Sequence, residues 1–192
     1  MRINKTFWLI IGVLVVLSFT VLTVHPRYSI FKSRYDPKLD TIFLGVNFGM
    51  DKQEFFDRCL ELNKQGKAVQ GTHNTSVLYF DNENFKMPVD MNFYPNFFEE
   101  KIYAMPVYFN YKAWAPWNRE LQSDSLILEV VTLFEKWYGK GFEKIKLPSG
   151  RIGYVKKNYP RVISVKIRDE QFVDALIENL HYVPKEYLKK DE

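Results

Sequence analysis

The sequence predicts an α+β fold behind a single N-terminal transmembrane helix, and three observations lead to this prediction. An uncharged apolar run covers residues 7–24, and amphipathic helical patterns follow a capping signal twice. Alternating apolar patterns typical of strands follow each of these helices. We therefore expect a membrane anchor followed by a domain of two helix-plus-three-strand antiparallel units.

The apolar run at residues 7–24 would rise about 27 Å as an α-helix, close to the thickness of a hydrocarbon core. A cleaved secretory signal has a shorter apolar stretch and small residues before the cut, whereas the exit sequence at residues 24–27, VHPR, has no Ala-x-Ala. The run therefore predicts a retained, single-pass anchor over residues 1–25, with cleavage as the alternative. The only cysteine, Cys59, does not follow the run directly, which excludes an acylated lipoprotein.

The basic residues around the apolar run give conflicting indications of orientation. Two precede the run and four follow it, namely Arg2, Lys5, Arg27, Lys32, Arg34 and Lys38. The positive-inside rule then places the domain in the cytoplasm, but long following domains translocate regardless of nearby charge. Because the short basic head is also typical of an export signal, we expect an extracytoplasmic domain on the periplasmic side of a bacterial membrane.

Composition and charge restrict the class of protein. The chain has 192 residues, of which 46% are hydrophobic and 17% aromatic, as expected for one globular domain with a substantial core. Its 27 basic and 23 acidic residues are interspersed, so no single-sign stripe is available to neutralise phosphates. We therefore expect no nucleic-acid partner.

The remaining chain divides by pattern into a stalk, a domain and a tail. Residues 26–41 show no regular period and are interpreted as a stalk, while residues 184–192 are a charged tail. The α+β domain is predicted at residues 42–183, with possible halves at 42–112 and 120–183.

The first half begins with a helix that carries a capping-box pattern. Asp51 is placed to cap the helix, Glu54 to reach back to it, and Gly66 to end it. Its apolar residues lie mostly on one face and are expected to pack on a sheet: Phe55, Phe56, Cys59, Leu60 and Leu62.

Three strands are predicted after this helix, at residues 76–81, 86–94 and 101–111. Turn residues separate them, which favours an antiparallel meander. Pro88 and Pro106 lie within the last two and indicate edge positions or bulges.

The second half repeats the order of elements with different residues. Ser123 or Asp124 is expected to cap a helix that ends at Gly139. Strands are predicted at residues 142–147, 151–157 and 161–168. A final helix is predicted to start at Asp169 and to bury Phe172, Val173, Leu176 and Leu180. The matching order of elements suggests that the two halves arose by duplication, and the alternative is that the order matches by coincidence.

Two short motifs resemble a known kind of envelope domain. They are the helix start at residues 48–55, FGMDKQEF, and the helix end at residues 133–139, LFEKWYG. These resemble the tandem helix-plus-meander domains of β-lactamase-inhibitor-like proteins and outer-membrane assembly lipoproteins, over residues 42–183 in element order. The resemblance implies two stacked units whose curved sheet binds protein partners, although this chain lacks the lipoprotein cysteine and the cysteine pairs of secreted inhibitors.

No residue pattern identifies a reaction, a metal or a cofactor. His25, His73 and His181 lack the spacing of metal ligands, so we expect neither a metal site nor a cofactor. Cys59 lies on the apolar face of the first helix, where a thiol is usually buried and inert. An enzymatic role is uncertain, and the alternative function is a membrane-tethered hydrolase whose carboxylates do not pair in the sequence.

The strongest candidate for a binding site lies at residues 108–117, YFNYKAWAPW. The candidate residues are Tyr111, Trp114, Pro116 and Trp117. Exposed Trp and Tyr anchor protein interfaces and also stack on sugar rings, so the partner is another envelope protein or a glycan. The alternative is that both tryptophans fill the junction between the halves. We expect a non-catalytic binding module of the cell envelope.

Overall fold

The computed structural model describes residues 36–71, 76–81 and 83–185, and these residues fold as an α+β domain, as predicted. They contain two α-helices of 13 and 16 residues, and neither is long and apolar enough to cross a bilayer. The predicted single-pass transmembrane architecture is thereby corrected, because no such helix belongs to the described fold. Residues 7–24, to which that helix was assigned, lie outside the described residues.

The helices and strands of the described residues follow one another in a single order along the chain. They are β1 (Thr41–Phe43), β2 (Val46–Asn47), α1 (Lys52–Lys64), β3 (Ala68–Gln70), β4 (Val77–Asp81), β5 (Val89–Phe93), β6 (Asn96–Phe98), β7 (Lys101–Tyr111), α2 (Ser123–Tyr138), β8 (Glu143–Lys146), β9 (Ile152–Asn158), β10 (Arg161–Ile167) and β11 (Val173–Asn179). Short 3₁₀ helices lie at Pro37–Asp40 and Arg119–Leu121.

One continuous antiparallel sheet joins the two halves of the chain. Its strand order is β3-β4-β5-β7-β11-β10-β9-β8, and β6 pairs with one end of β7. Strands β1 and β2 form a separate two-stranded ribbon. The predicted pair of helix-plus-three-strand units is wrong, because five strands follow the first helix and four follow the second. Strands β7 and β11 join the halves into a single sheet.

The predicted final helix is the central strand β11. Its residues Val173, Ala175 and Ile177 are buried on one face and alternate with partly exposed residues on the other. Phe172, Val173, Leu176 and Leu180 fit a helical spacing as well, so local pattern did not separate the two structures. Pairing with β7, which is distant in sequence, decides for the strand.

Pro106 lies inside the sheet, so the edge position, one of its two predicted placements, is wrong. It pairs with Leu176 of β11. On the other side of β7, the pairing with β5 ends at Phe93 and the pairing with β6 starts at Asn96. Pro106 lies opposite this break, where no ladder needs its missing N–H.

Helix α1 starts as the sequence predicts. The Asp51 carboxylate accepts a hydrogen bond from the Glu54 N–H at 2.9 Å, and Glu54 accepts one from the Asp51 N–H at 2.8 Å. The predicted packing face is only partly buried, however. Phe55 and Leu62 are in the core, whereas Phe56 and Leu60 are 47% and 52% exposed.

Helix α2 is much more deeply packed than α1. Seven of its residues are buried, and its phenyl ring at Phe134 lies 5.9 Å from Phe109 of β7. Gln122 precedes the helix without a capping hydrogen bond from its side chain, so neither predicted cap, Ser123 or Asp124, holds that position. Gly139 ends the helix with φ of 81°, as expected for a glycine terminator.

The segment before β1 is part of the fold. Arg161 of β10 is buried, and its Nη1 donates to the carbonyl oxygens of Lys38 at 3.4 Å and Thr41 at 3.1 Å. The same guanidinium lies 4.8 Å over the ring of Tyr138, whose hydroxyl donates to the Ile42 carbonyl at 2.5 Å. Residues 36–41 of the predicted stalk are thus fastened to the domain.

Both helices pack on one face of the sheet. The buried core contains Phe55 of α1 and Leu126 of α2 together with Met91, Phe109 and Ile177 from three central strands. Successive side chains of each strand point to opposite faces of the sheet, so every second residue lies on the other face. No helix of the described residues covers that face. We call it the open face, and it includes Leu78, Asn92, Pro106, Tyr108, Ser164, Lys166, Asp174, Leu176 and Glu178.

Candidate functional site

The loop that holds the predicted binding residues is well ordered by its own hydrogen bonds. Gln122 Nε2 donates to the Asn118 carbonyl at 2.9 Å and to the Ala115 carbonyl at 3.3 Å. The indole Nε1 of Trp114 donates to Gln122 Oε1 at 3.4 Å. One amide side chain therefore fastens the loop at three points to the start of α2.

The four predicted residues do not form one surface. Tyr111 is only 2% exposed, and its hydroxyl donates to Glu129 Oε1 of α2 at 3.0 Å. Burial raises the pKa of Tyr111 above its usual range, with the Glu129 carboxylate acting in the same direction. Trp114 is half-buried and packs against the core, whereas Pro116 is exposed and Trp117 is 85% exposed.

The sequence left open whether the two tryptophans belong to the core or to a binding surface, and the structure gives a different answer for each. Trp114 fills space against the core, as the core interpretation predicted. Trp117 presents its indole to solvent, which forgoes roughly 1.5–3 kcal/mol of burial for a large side chain. An exposed tryptophan on a braced loop is the arrangement expected of a contact residue.

A groove of about 600 Å³ opens beside this loop. We call it the Arg119 groove, and its lining includes Pro116, Arg119, Asp124, Arg151, Ile167, Asp169 and Glu170 but not Trp117. Asp169 Oδ1 accepts hydrogen bonds from the backbone N–H groups of Gln171 and Phe172, so this carboxylate stabilises a turn. Sequence patterns did not reveal the groove, because its lining comes from three separate segments of the chain, at residues 116–124, 150–152 and 167–170.

The open face carries an arginine–aromatic cluster at one end. The Arg168 guanidinium lies 5.5 Å from the ring centre of Tyr108 and 5.2 Å from that of Phe172. Asp174 accepts from Arg168 Nε at 3.0 Å and holds the guanidinium in place. A shallow depression of about 240 Å³ lies beside this cluster, against Pro106, Tyr108, Ser164, Lys166 and Leu176.

A third depression, of about 340 Å³, separates α1 from the edge strand β3. Phe56, Leu60, Val69 and Tyr94 line it with exposed apolar side chains. Asn63 Nδ2 donates to the Ala68 carbonyl at 2.9 Å and occupies part of the strand edge.

Burial raises the pKa of two side chains near these surfaces, Cys59 and Glu178. Burial raises the pKa of the Cys59 thiol to about 11, so the thiol is protonated at neutral pH and a weak nucleophile. Burial also raises the pKa of Glu178, on the open face, above its usual value. Among the described residues, no group of three or more His, Cys, Asp or Glu side chains could hold a metal ion.

Comparison with known proteins adds no family to these observations: no family model, no curated protein and no solved structure matches the chain. The resemblance to β-lactamase-inhibitor-like and assembly-lipoprotein domains therefore stays a prediction.

Proposed function

We propose that this chain is a non-catalytic binding module that docks a protein of the cell envelope on the open face of its sheet. The observation that carries the proposal is the arginine–aromatic cluster of Tyr108, Arg168 and Phe172 beside a shallow depression. Tyr and Arg are enriched among the residues that dominate protein interfaces.

The cluster is ordered before any partner arrives. Asp174 fixes one edge of the Arg168 guanidinium, and the rings of Tyr108 and Phe172 lie edge to face at 6.1 Å. Because few rotamers remain to be lost, the entropic cost of binding at this point is small. A cross-strand row of Tyr108, Asp174 and Lys166 extends the same surface over three strands, and the next residue in the row, Asn92, is buried.

Binding is favoured over hydrolysis by the placement of the acidic groups. The carboxylates in the Arg119 groove lie in an open depression, and Asp169 accepts hydrogen bonds from two backbone N–H groups. General acid–base chemistry requires a pair of carboxylates that converge on one bond in a closed site.

Site-specific crosslinking in intact cells tests the proposal. A photo-reactive phenylalanine analogue at Ser164, on the open face, is expected to give a discrete crosslinked protein. The matched control is the same analogue at Leu128, which is exposed on α2 on the opposite side of the molecule. Adding Leu176→Arg should abolish the Ser164 product, while equal products from both positions, or none from Ser164, contradict the proposal.

The compartment is part of the same proposal. We place the domain on the extracytoplasmic side, as the sequence predicts from its basic head and long following domain. Protease treatment of cells with a permeabilised outer layer should then remove a C-terminal tag. A tag that survives until the cells are lysed would place the domain in the cytoplasm and rule out an envelope partner.

A further inference from the structure

We infer that the edge strand β8 is a second binding site, and that its ligand is an extended protein segment in which acidic and apolar residues alternate. Such a segment would add one strand to the sheet beside β8. The site lies four strands away from β7, which carries Tyr108 of the arginine–aromatic cluster. The inference therefore does not depend on the function proposed for the open face.

The outer edge of β8 has free backbone hydrogen-bonding groups. Strand β8 ends the strand order of the sheet and pairs only with β9. The Leu147 N–H donates to the Arg151 carbonyl at 2.9 Å, and this bond fixes which residues face β9. Because hydrogen-bonded pairs alternate along an antiparallel ladder, Lys144 and Lys146 direct their N–H and C=O groups outward. No described residue bonds to these outward groups, so the edge can accept another strand.

The lysines of β8 have no acidic partner within the described fold. Lys144 lies opposite Tyr154, and Lys146 lies opposite Ile152. Both lysines are exposed, and neither forms a side-chain hydrogen bond or ion pair with another described residue. Residues 140–157 contain six basic residues and one acidic residue, whereas the rest of the chain contains 21 basic and 22 acidic residues. Acidic residues in an added strand would supply the missing cross-strand pairs.

The other side of β8 is apolar. Side chains alternate along a strand, so Ile145 and Leu147 lie on the side opposite to the lysines. Both lie over Gly153 of β9, because a Cβ atom at that position would be 3.4 Å from Ile145 and 3.6 Å from Leu147. Ile145 is 37% exposed. A strand beside β8 therefore meets cationic side chains on one side and aliphatic side chains on the other.

The charge of the edge also selects between possible partners. A second copy of β8 would place lysines opposite lysines, and like charges in such pairs are destabilising. An acidic segment turns this repulsion into attraction. At the other edge of the sheet, the Asn63 side chain covers the Ala68 carbonyl of β3 at 2.9 Å. No side chain of the described residues covers β8 in this way.

Fluorescence-anisotropy titration of the full-length chain with synthetic peptides tests the inference. The probe is a heptapeptide of alternating Glu and Val with blocked ends, and it should bind with a dissociation constant on the order of 100 μM or tighter. Two control peptides carry the same charge. One has its Glu residues in a single block, and the other alternates but has N-methylated amides. Both should bind at least about tenfold more weakly, because they lose the alternation or the backbone hydrogen bonds.

Variants of β8 test the backbone edge and the charges separately. Lys144→Pro removes an outward N–H without breaking a bond to β9, so it should keep the fold and weaken binding at least about tenfold. Lys144→Gln combined with Lys146→Gln should weaken binding about fivefold. The matched control, Lys64→Gln with Lys67→Gln, makes the same change of charge near the opposite edge and should bind like the unchanged chain.

Far-UV circular dichroism checks the fold of each variant, and the glutamine pair decides the test if Lys144→Pro does not fold. The inference is overturned when the alternating peptide does not bind at about 1 mM. It is also overturned when either control peptide binds as tightly as the alternating peptide, or when a folded β8 variant binds as tightly as the unchanged chain.

Discussion

The two faces of the sheet use the same strands for different purposes. On the covered face, Met91, Phe109 and Ile177 are fully buried under the two helices. On the open face, their sequence neighbours Tyr108 and Leu176 are only partly buried, and Lys166 is exposed. Each strand therefore contributes alternate side chains to stability and to a surface that a partner could reach.

A half-buried apolar side chain therefore has a different meaning on each face. Next to α2, partial burial reflects packing at the border of the core, as with Trp114 and Trp137. On the open face the described residues supply no covering layer, so partial burial reflects contacts between neighbouring side chains, such as Tyr108 with Phe172. Side chains on the covered face should therefore contribute more to stability than side chains on the open face.

The largest expected effect is the difference between two adjacent residues of β7. Phe109→Ala leaves a cavity under α2 and should lower the free energy of unfolding by about 3–5 kcal/mol. Tyr108→Ala removes only cross-strand contacts on the open face and should cost about 1 kcal/mol. Urea denaturation followed by circular dichroism measures both, and equal losses would mean that the open face is packed against another layer.

The reactivity of Cys59 should report that the inner side of α1 is packed. Because burial raises the pKa of this thiol to about 11, its thiolate population at pH 8 is about 100-fold below that of an ordinary cysteine. Alkylation by iodoacetamide should be slower by a similar factor and accelerate as the pH rises toward 11. The matched control is the urea-unfolded chain, and folded and unfolded chains that react equally fast at pH 8 would show that α1 is not packed there.

The two tryptophans of the loop should differ in stability by a smaller amount. Trp114→Ala removes an indole that packs on the core and should cost about 2 kcal/mol, less than a fully buried tryptophan. Trp117→Ala removes an exposed indole and should change stability by less than about 0.5 kcal/mol. Thermal melting of the two variants measures this difference. A large loss of stability in Trp117→Ala would mean that Trp117 is part of the core.

The smallest expected effect concerns Glu178 on the open face. Burial raises the folded-state pKa of its carboxyl, so the folded protein favours the protonated form. The stability this proton provides is present below the unfolded pKa of about 4.3 and is lost as the pH rises through the folded value. Glu178→Gln should therefore raise the melting temperature slightly at pH 7 and leave it unchanged below about pH 4.

A control variant separates this effect from a general change in charge. Glu143→Gln removes a carboxylate from an exposed position at the edge strand β8 and should not alter the melting temperature at either pH. A melting temperature for Glu178→Gln that falls at pH 7 would mean that the ionised carboxylate has a stabilising partner.

Local sequence was sufficient for much of the secondary structure. The capping box of Asp51 and Glu54, the end of α2 at Gly139 and the strands at residues 101–111 and 161–168 all depend on neighbours within a few residues. The sequence identified the segment that contains the candidate binding residues, but it did not show which of these residues are exposed. Exposure depends on what packs above each side chain.

The elements that the sequence missed depend on distant partners. Strands β3 and β6 are three residues each, too short for a period to be visible. Strand β11 carries a pattern that fits a helix equally well until β7 and β10 lie beside it. The Arg119 groove likewise joins residues from three segments, so its mixture of charges exists only in the folded chain.

Sequence patterns alone were enough to predict an α+β domain, the position of its two helices and a loop rich in tryptophan, because caps and periodicity are local properties. The tertiary structure decided that β7 and β11 join the halves into one sheet and that both helices cover a single face. It also decided that Trp114 supports the fold while Trp117 faces solvent. These outcomes follow from pairing and burial between residues far apart in the chain, which no local pattern encodes.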